Sequence, residues 1–165
     1  MVSMAMLISC VASCDSGSDA VSYGVGTLSL GLSANPSFST KTRSVNEAEY
    51  KKADNYQVTV KDADGASLYN GLYKDMPLSI DLTAGKGSTV KAFYGENVNA
   101  GFVKLYVEGS QEFTVSEGEQ KNVILYCKPA NVKVSVVYTE DFLKYYSDCT
   151  VSLSTSHLTA PFEVN

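Results

Sequence analysis

Apolar and polar residues alternate with a period of two along most of the chain, and Gly, Asp, Asn, Ser and Pro interrupt the alternation at short intervals. That period puts successive side chains on opposite faces of a strand, so each run predicts a strand with one buried and one wet face. The central run spans Met76 to Tyr94. Leu78, Ile80 and Leu82 alternate with Ser79 and Asp81, and Val90 and Ala92 flank Lys91. Between them, Thr83 to Gly87 supplies residues that tolerate a reversal. The run therefore predicts a two-stranded antiparallel unit, with similar units on both sides.

In chain order, Leu28, Leu30 and Leu32 predict a first strand over Gly26–Ser33, ended by Asn35 and Pro36. Residues 40–55 are polar and predict a surface loop with one helical turn. Tyr56–Val60 and Ser67–Tyr69 predict a hairpin turned by Asp62–Gly65. Ala100–Glu108 is irregular and reads as a loop. Gln111–Val115 and Asn122–Cys127 form another alternating pair across Ser116–Glu119. Six or seven short strands joined by such turns predict an all-β fold, an antiparallel Ig-like or transthyretin-like β-sandwich over residues 26–127.

Pro129 breaks the pattern and marks a boundary. Beyond it, Val132, Val134, Val136 and Tyr138 alternate as a strand. Thr139 is placed to cap a short helix with Glu140 and Asp141 in its first turn and Phe142 and Tyr146 on one face. Cys149, Val151 and Leu153 begin another strand. Two strands and a helical turn do not bury a core alone, so residues 131–165 read as the start of a second β-rich domain cut short.

Composition adds class and excludes partners. The 165 residues are 44% hydrophobic and 19% charged, too apolar for disorder. Eleven Tyr and six Phe favour strands. A net charge of −5 and a single arginine, Arg43, argue against nucleic acid as a partner.

At the N-terminus, Met1–Ala12 is apolar but too short to cross a bilayer as a helix. Residues 1–13 read instead as a lipoprotein signal peptide, with Val11-Ala12-Ser13-Cys14 resembling a bacterial lipobox. Leu7-Ile8-Ser9-Cys10 fits the same pattern and makes Cys10 the alternative lipidation site. Cys14 is preferred because polar residues follow it at once. No Lys or Arg precedes the apolar stretch, which points to a start upstream of Met1 or a truncated gene model. Residues 14–25 then form an acidic, flexible tether, and the acids just after Cys14 also resemble the surface-export signals of Bacteroidota-type lipoproteins. The expected location is the outer membrane or cell surface, held through a lipid anchor.

No catalytic constellation is present, and no cofactor or metal is expected. Asp62 and Asp64 could open a calcium loop, but Gly65 and Tyr73 stand at the wrong loop positions. The acid pairs Asp62/Asp64 and Glu117/Glu119 sit in predicted turns, where solvated loops are favoured over a glycosidase pair. His157, the only histidine, has no Cys/His cluster in sequence. Cys127 and Cys149 both face inward on their strands and read as buried free thiols, although a disulfide is allowed outside the cytoplasm. Tyr69, Tyr73, Tyr94 and Tyr106 offer possible stacking faces to a glycan, against a favoured account as strand packing.

Several short motifs occur in order: Gly26–Leu30, Met76-Pro77-Leu78, Leu82–Gly85, Val90–Gly95 and Cys127–Val134. Together they resemble a Bacteroidota surface-lipoprotein family known only as a domain of unknown function, itself similar to the fimbrillin-like pilus subunits and adhesins. The resemblance covers roughly residues 14–155 and implies no established activity. Fimbrillin-like subunits are exported as lipoproteins and cut after an arginine that follows the first strand. A strand from another subunit then fills the opened groove. The resemblance therefore makes Arg43 a possible processing point, with a solvated loop arginine as the plain alternative.

Three functions are compatible with these features: a non-enzymatic structural or adhesive surface lipoprotein able to self-assemble or meet other surface proteins, a glycan-binding module, and the non-catalytic part of a longer surface enzyme. The first is the expected one.

Overall fold

The computed structural model describes residues 23–36, 47–102 and 104–164. Its strands are β1 (Val25–Ala34), β2 (Gln57–Lys61), β3 (Ser67–Leu72), β4 (Ile80–Thr83), β5 (Gly87–Gly95), β6 (Tyr106–Thr114), β7 (Gln120–Pro129), β8 (Val151–Leu153) and β9 (Phe162–Val164). Among the described residues, two short α-helices, α1 (Glu47–Tyr50) and α2 (Glu140–Tyr145), and two single 3-10 turns accompany them. The fold is all-β.

Seven strands form one hydrogen-bonded series in the order β3-β2-β5-β6-β7-β1-β4. The series closes on itself as a sandwich. Val58, Val60, Val90, Ala92 and Val107 from one half join Leu28, Ile80, Leu82, Val123, Leu125 and Cys127 from the other in a single buried cluster. These are the inward positions of alternating strands, so the apolar period selects the face that is buried.

Partners differ from the expected hairpins. β4 and β5 do not pair with each other: β4 pairs with β1, and β5 lies between β2 and β6. The Thr83–Gly87 turn carries the chain from one half to the other, with Gly85 at φ 77° and its N–H bonded to the Val115 carbonyl at 2.8 Å. Leu78, expected inside, is 95% exposed because β4 begins only at Ile80. The sheet is also mixed rather than wholly antiparallel. β1 runs parallel to β7 over eight residue pairs, from Thr27↔Gln120 to Ala34↔Cys127.

β6 starts at Tyr106, inside the stretch expected to be loop, and meets β7 only through Val107↔Pro129 and Glu108↔Lys128. The two strands diverge beyond this point into opposite halves. A Cβ at Gly109 would lie 2.6 Å from the Tyr126 carbonyl oxygen and 3.1 Å from Cys127 Sγ, so the crossing requires glycine.

The β2–β3 hairpin forms as expected. Asp62 Oδ1 accepts from the Asp64 and Ala66 backbone N–H groups at 3.0 and 2.9 Å, and Gly65 has φ 81°. α1 supplies the helical turn expected within residues 40–55.

Residues 131–139 have no strand partner among the described residues, although Val132–Tyr138 alternate. α2 is capped by Thr139, whose Oγ1 accepts from Phe142 N–H at 3.2 Å. Tyr138, Phe142 and Tyr146 stack successively at centroid distances of 5.4 and 4.8 Å. β8 and β9 form a separate two-stranded ladder. Among the described residues, none after Cys127 belongs to the buried cluster.

Candidate functional site

Two features stand out: the seating of β1, and a cleft at one end of the β3-β2-β5-β6 half. β1 lies between β4 and β7, antiparallel to the first and parallel to the second. Its Leu28 is fully buried, while Leu30, Leu32 and Ala34 pack partly buried against the core. Tyr73, in the 3-10 turn after β3, donates its hydroxyl to the Leu30 carbonyl at 3.0 Å and ties the strand to the facing half. Without β1, β4 would have no ladder partner in the series, and a groove floored by core residues would open beside β7.

The cleft has a volume of about 650 Å³. Leu72, Gln57 and Phe93 form one row across three adjacent strands, because Gln57 is in register with both of the others. All three occupy outward positions, where a strand that alternates Val58, Val60 and Ala92 inward must place its other face. Asn55, from the 3-10 turn before β2, and Tyr50, from α1, add polar groups, with Tyr94 behind. Gln57 Nε2 donates to Asn70 Oδ1 at 3.0 Å. The Asn55 side chain makes no hydrogen bond among the described residues.

Gly95 closes the back of the cleft at φ 98°, where a Cβ would lie 2.0 Å from the Leu105 carbonyl oxygen and 2.9 Å from Tyr50 Cε1. Burial pushes the Tyr50 phenol above its ordinary range, and the neighbouring Tyr94 and Glu96 add to the shift. Tyr50 is therefore a neutral hydroxyl at physiological pH. At the rim, Lys104 and Glu96 pair with each other.

The four tyrosines weighed as possible stacking faces, with strand packing the favoured account, are engaged in packing. Tyr69 is half-buried and donates to the Leu72 carbonyl at 2.6 Å. Tyr94 lies between Tyr50 and Tyr56 at 5.0 and 5.6 Å. Tyr106 is buried against Phe93 at 5.8 Å, and Tyr73 is held by β1. Of the four, Tyr94 alone lines the cleft. Asn55, Gln57 and Phe93 carry no sequence motif; they meet only through the register of β2 with β3 and β5.

The other candidates fall elsewhere. Cys10, Cys14 and Arg43 lie outside the described residues. Cys127 is a fully buried free thiol, as expected, whereas Cys149, expected to be buried on its strand, precedes β8 and is a half-buried free thiol. Asp64 pairs with Lys86 at 3.4 Å, and the Glu119 carboxylate accepts from Ser116 N–H at 2.7 Å beside Lys121 at 3.1 Å. The acid pairs thus belong to turns. His157 lines a second cavity with Phe102, Val132 and Phe162. No group of three His, Cys, Asp or Glu residues that could hold a metal ion occurs among the described residues.

A family model described as a domain of unknown function, DUF4493, matches residues 24–165. The chain belongs to the DUF4493 family. The match begins at the residue before β1 and runs through β9, so both the sandwich and the segment after it lie within the DUF4493 region. No curated protein and no solved structure matches this DUF4493 chain.

Proposed function

We propose that the protein is a non-enzymatic, lipid-anchored cell-surface protein of structural or adhesive role, built as a fimbrillin-like subunit in which β1 is the exchangeable strand. The supporting observation is the position of β1 between β4 and β7, with its inward face in the core. A strand so placed can be replaced by another of the same alternation, which would restore both ladders and the buried face. Arg43 follows β1 in the chain, in the connection to α1, where a cut would separate the strand from the rest of the sandwich. Cys14, upstream, would hold the uncut chain at the outer membrane through its lipid.

The test is the intact mass and N-terminal residue of the native protein recovered from cell envelopes. A diacylglycerol-modified start at Cys14 is expected for the anchored form. A population that begins at Ser44 is expected for the assembled form. An unmodified Met1 start would overturn the location and the assembly route together. Detection of residues 14–43 on every assembled chain would overturn strand exchange alone.

A further inference from the structure

We infer that the cleft beside Gln57 and Phe93 binds an uncharged saccharide. The cleft displays the outward side chains of three adjacent strands. Its floor is a row of side chains on hydrogen-bonded strands, and β2 and β5 each have partners on both sides. No backbone edge of the kind a peptide strand needs for sheet addition is therefore free beneath Gln57 and Phe93; the edge strand of this half is β3, which brings the Leu72 side chain to the row. Instead the cleft offers apolar surface from Leu72 and Phe93 next to the amides of Asn55 and Gln57 and the neutral hydroxyl of Tyr50.

That combination matches a sugar ring, which has an apolar C–H face and an edge of hydroxyls that both donate and accept. An aromatic ring has a negative face that favours such C–H groups. Planar amides supply a donor and an acceptor side by side. The Asn55 amide lacks a protein partner among the described residues, so a ligand hydroxyl would add a hydrogen bond without breaking one. The volume of about 650 Å³ lies within the range of small-ligand sites.

Charge decides the subclass. The charged side chains lining the cleft, Glu96 and Lys104, neutralise each other, and the whole chain carries −5. Among the described residues an anionic sugar would find no unpaired cation there, and it would meet an unfavourable overall field; a cationic one would find no unpaired carboxylate. The assignment gives the adhesive role a ligand class. It rests on the surface reading only in that a surface protein meets extracellular glycans.

The experiment uses the purified 165-residue chain on an array of neutral, sialylated and amino-substituted oligosaccharides, followed by calorimetry with the best neutral binder. Binding confined to neutral glycans is expected. Asn55→Ala and Phe93→Leu, the second retaining bulk against Tyr106, should each weaken it tenfold or more. Tyr126→Ala, at an exposed ring on β7, should leave it unchanged. Circular dichroism of each variant confirms the fold. Binding of charged glycans only, or of none, would overturn the inference. So would neutral binding that survives both cleft substitutions or disappears with Tyr126→Ala. Because the array reads binding in solution, its failure is separate from a failure of the anchoring test.

Discussion

At the residue scale, Gly95 at the end of β5 and Cys127 near the end of β7 illustrate how tightly local chemistry is constrained. Gly95 combines a left-handed φ of 98° with a carbonyl oxygen only 2.0 Å from where a Cβ would stand. Strain of the backbone alone costs on the order of 1–2 kcal/mol, and the overlap adds to it. Gly95→Ala should therefore destabilise the fold by at least about 2 kcal/mol, read as a lower urea midpoint at constant slope. An unchanged midpoint would show that the Leu105 backbone, just before β6, yields. Cys127 supplies a pH signature. Burial, with Glu108 contributing, pushes its thiol from 9.0 up to about 11. Below pH 9 the thiol is neutral in folded and unfolded chains alike, and stability is independent of it. Between pH 9 and pH 11 the unfolded thiol ionises first, so stability falls; above pH 11 the slope from this group ends. The total loss is at most about 3 kcal/mol, from about 1.4 kcal/mol per tenfold change in acid dissociation. Cys127→Ala should be less stable than the parent at pH 7 by about 1 kcal/mol, but should lose less between pH 9 and pH 11. Parallel stability curves for parent and variant would contradict the assignment. Burial also raises the Tyr56 phenol from 10.0, with Cys127 the next cause, so its own loss of stability begins near pH 10 and overlaps the upper part of this window in parent and variant alike.

At the element scale, β1 is where sequence and structure part company. Leu28 is fully buried at its centre, so Leu28→Ala should cost about 2–5 kcal/mol, whereas Leu78→Ala, at 95% exposure, should cost less than about 0.5 kcal/mol. Equal effects in chemical denaturation would mean that the alternation, not the burial, sets the energetics. The period of two identified the buried face of β1, β2, β5 and β7 correctly, because inward and outward positions follow from the pleat alone. It could not identify partners. Ile80 and Leu82 look equally suited to pair with Val90 and Ala92, yet β4 joins β1 and β5 joins β2, since a turn that reverses the chain also permits a crossing between halves. The parallel match of Leu30 with Val123 spans most of the domain and leaves no local signal. The cleft was illegible for the same reason: Leu72, Gln57 and Phe93 become neighbours only once three strands are in register. The tyrosines were visible as aromatic surface, but their hydroxyl bonds to Leu72 and Leu30 depend on tertiary geometry.

At the scale of the whole molecule, burial is divided unevenly. The buried cluster draws on β1, β2, β4, β5, β6 and β7 and on no residue beyond Cys127. Asn131 still belongs to the sandwich in structure, because its Oδ1 accepts from Tyr106 N–H, and Ala130 N–H bonds the Tyr106 carbonyl at 2.9 Å. Past that point Val132 and Val137 are 88% and 86% exposed, and α2 buries no residue fully. The ring contact that links the later segment to the 97–102 loop is Phe102 with Phe162 at 5.0 Å, and such a pair contributes about 0.5–1.5 kcal/mol beyond its area. A chain ended after Val132 should therefore keep a single cooperative unfolding transition within about 1–2 kcal/mol of the parent. Thermal and urea unfolding of the two chains would measure this directly. A truncated chain that loses cooperativity would show that the segment after β7 sustains the sandwich through contacts beyond the Phe102–Phe162 pair. Retained cooperativity would locate the folding unit between β1 and β7, the same span whose first strand the proposed assembly requires to be exchangeable.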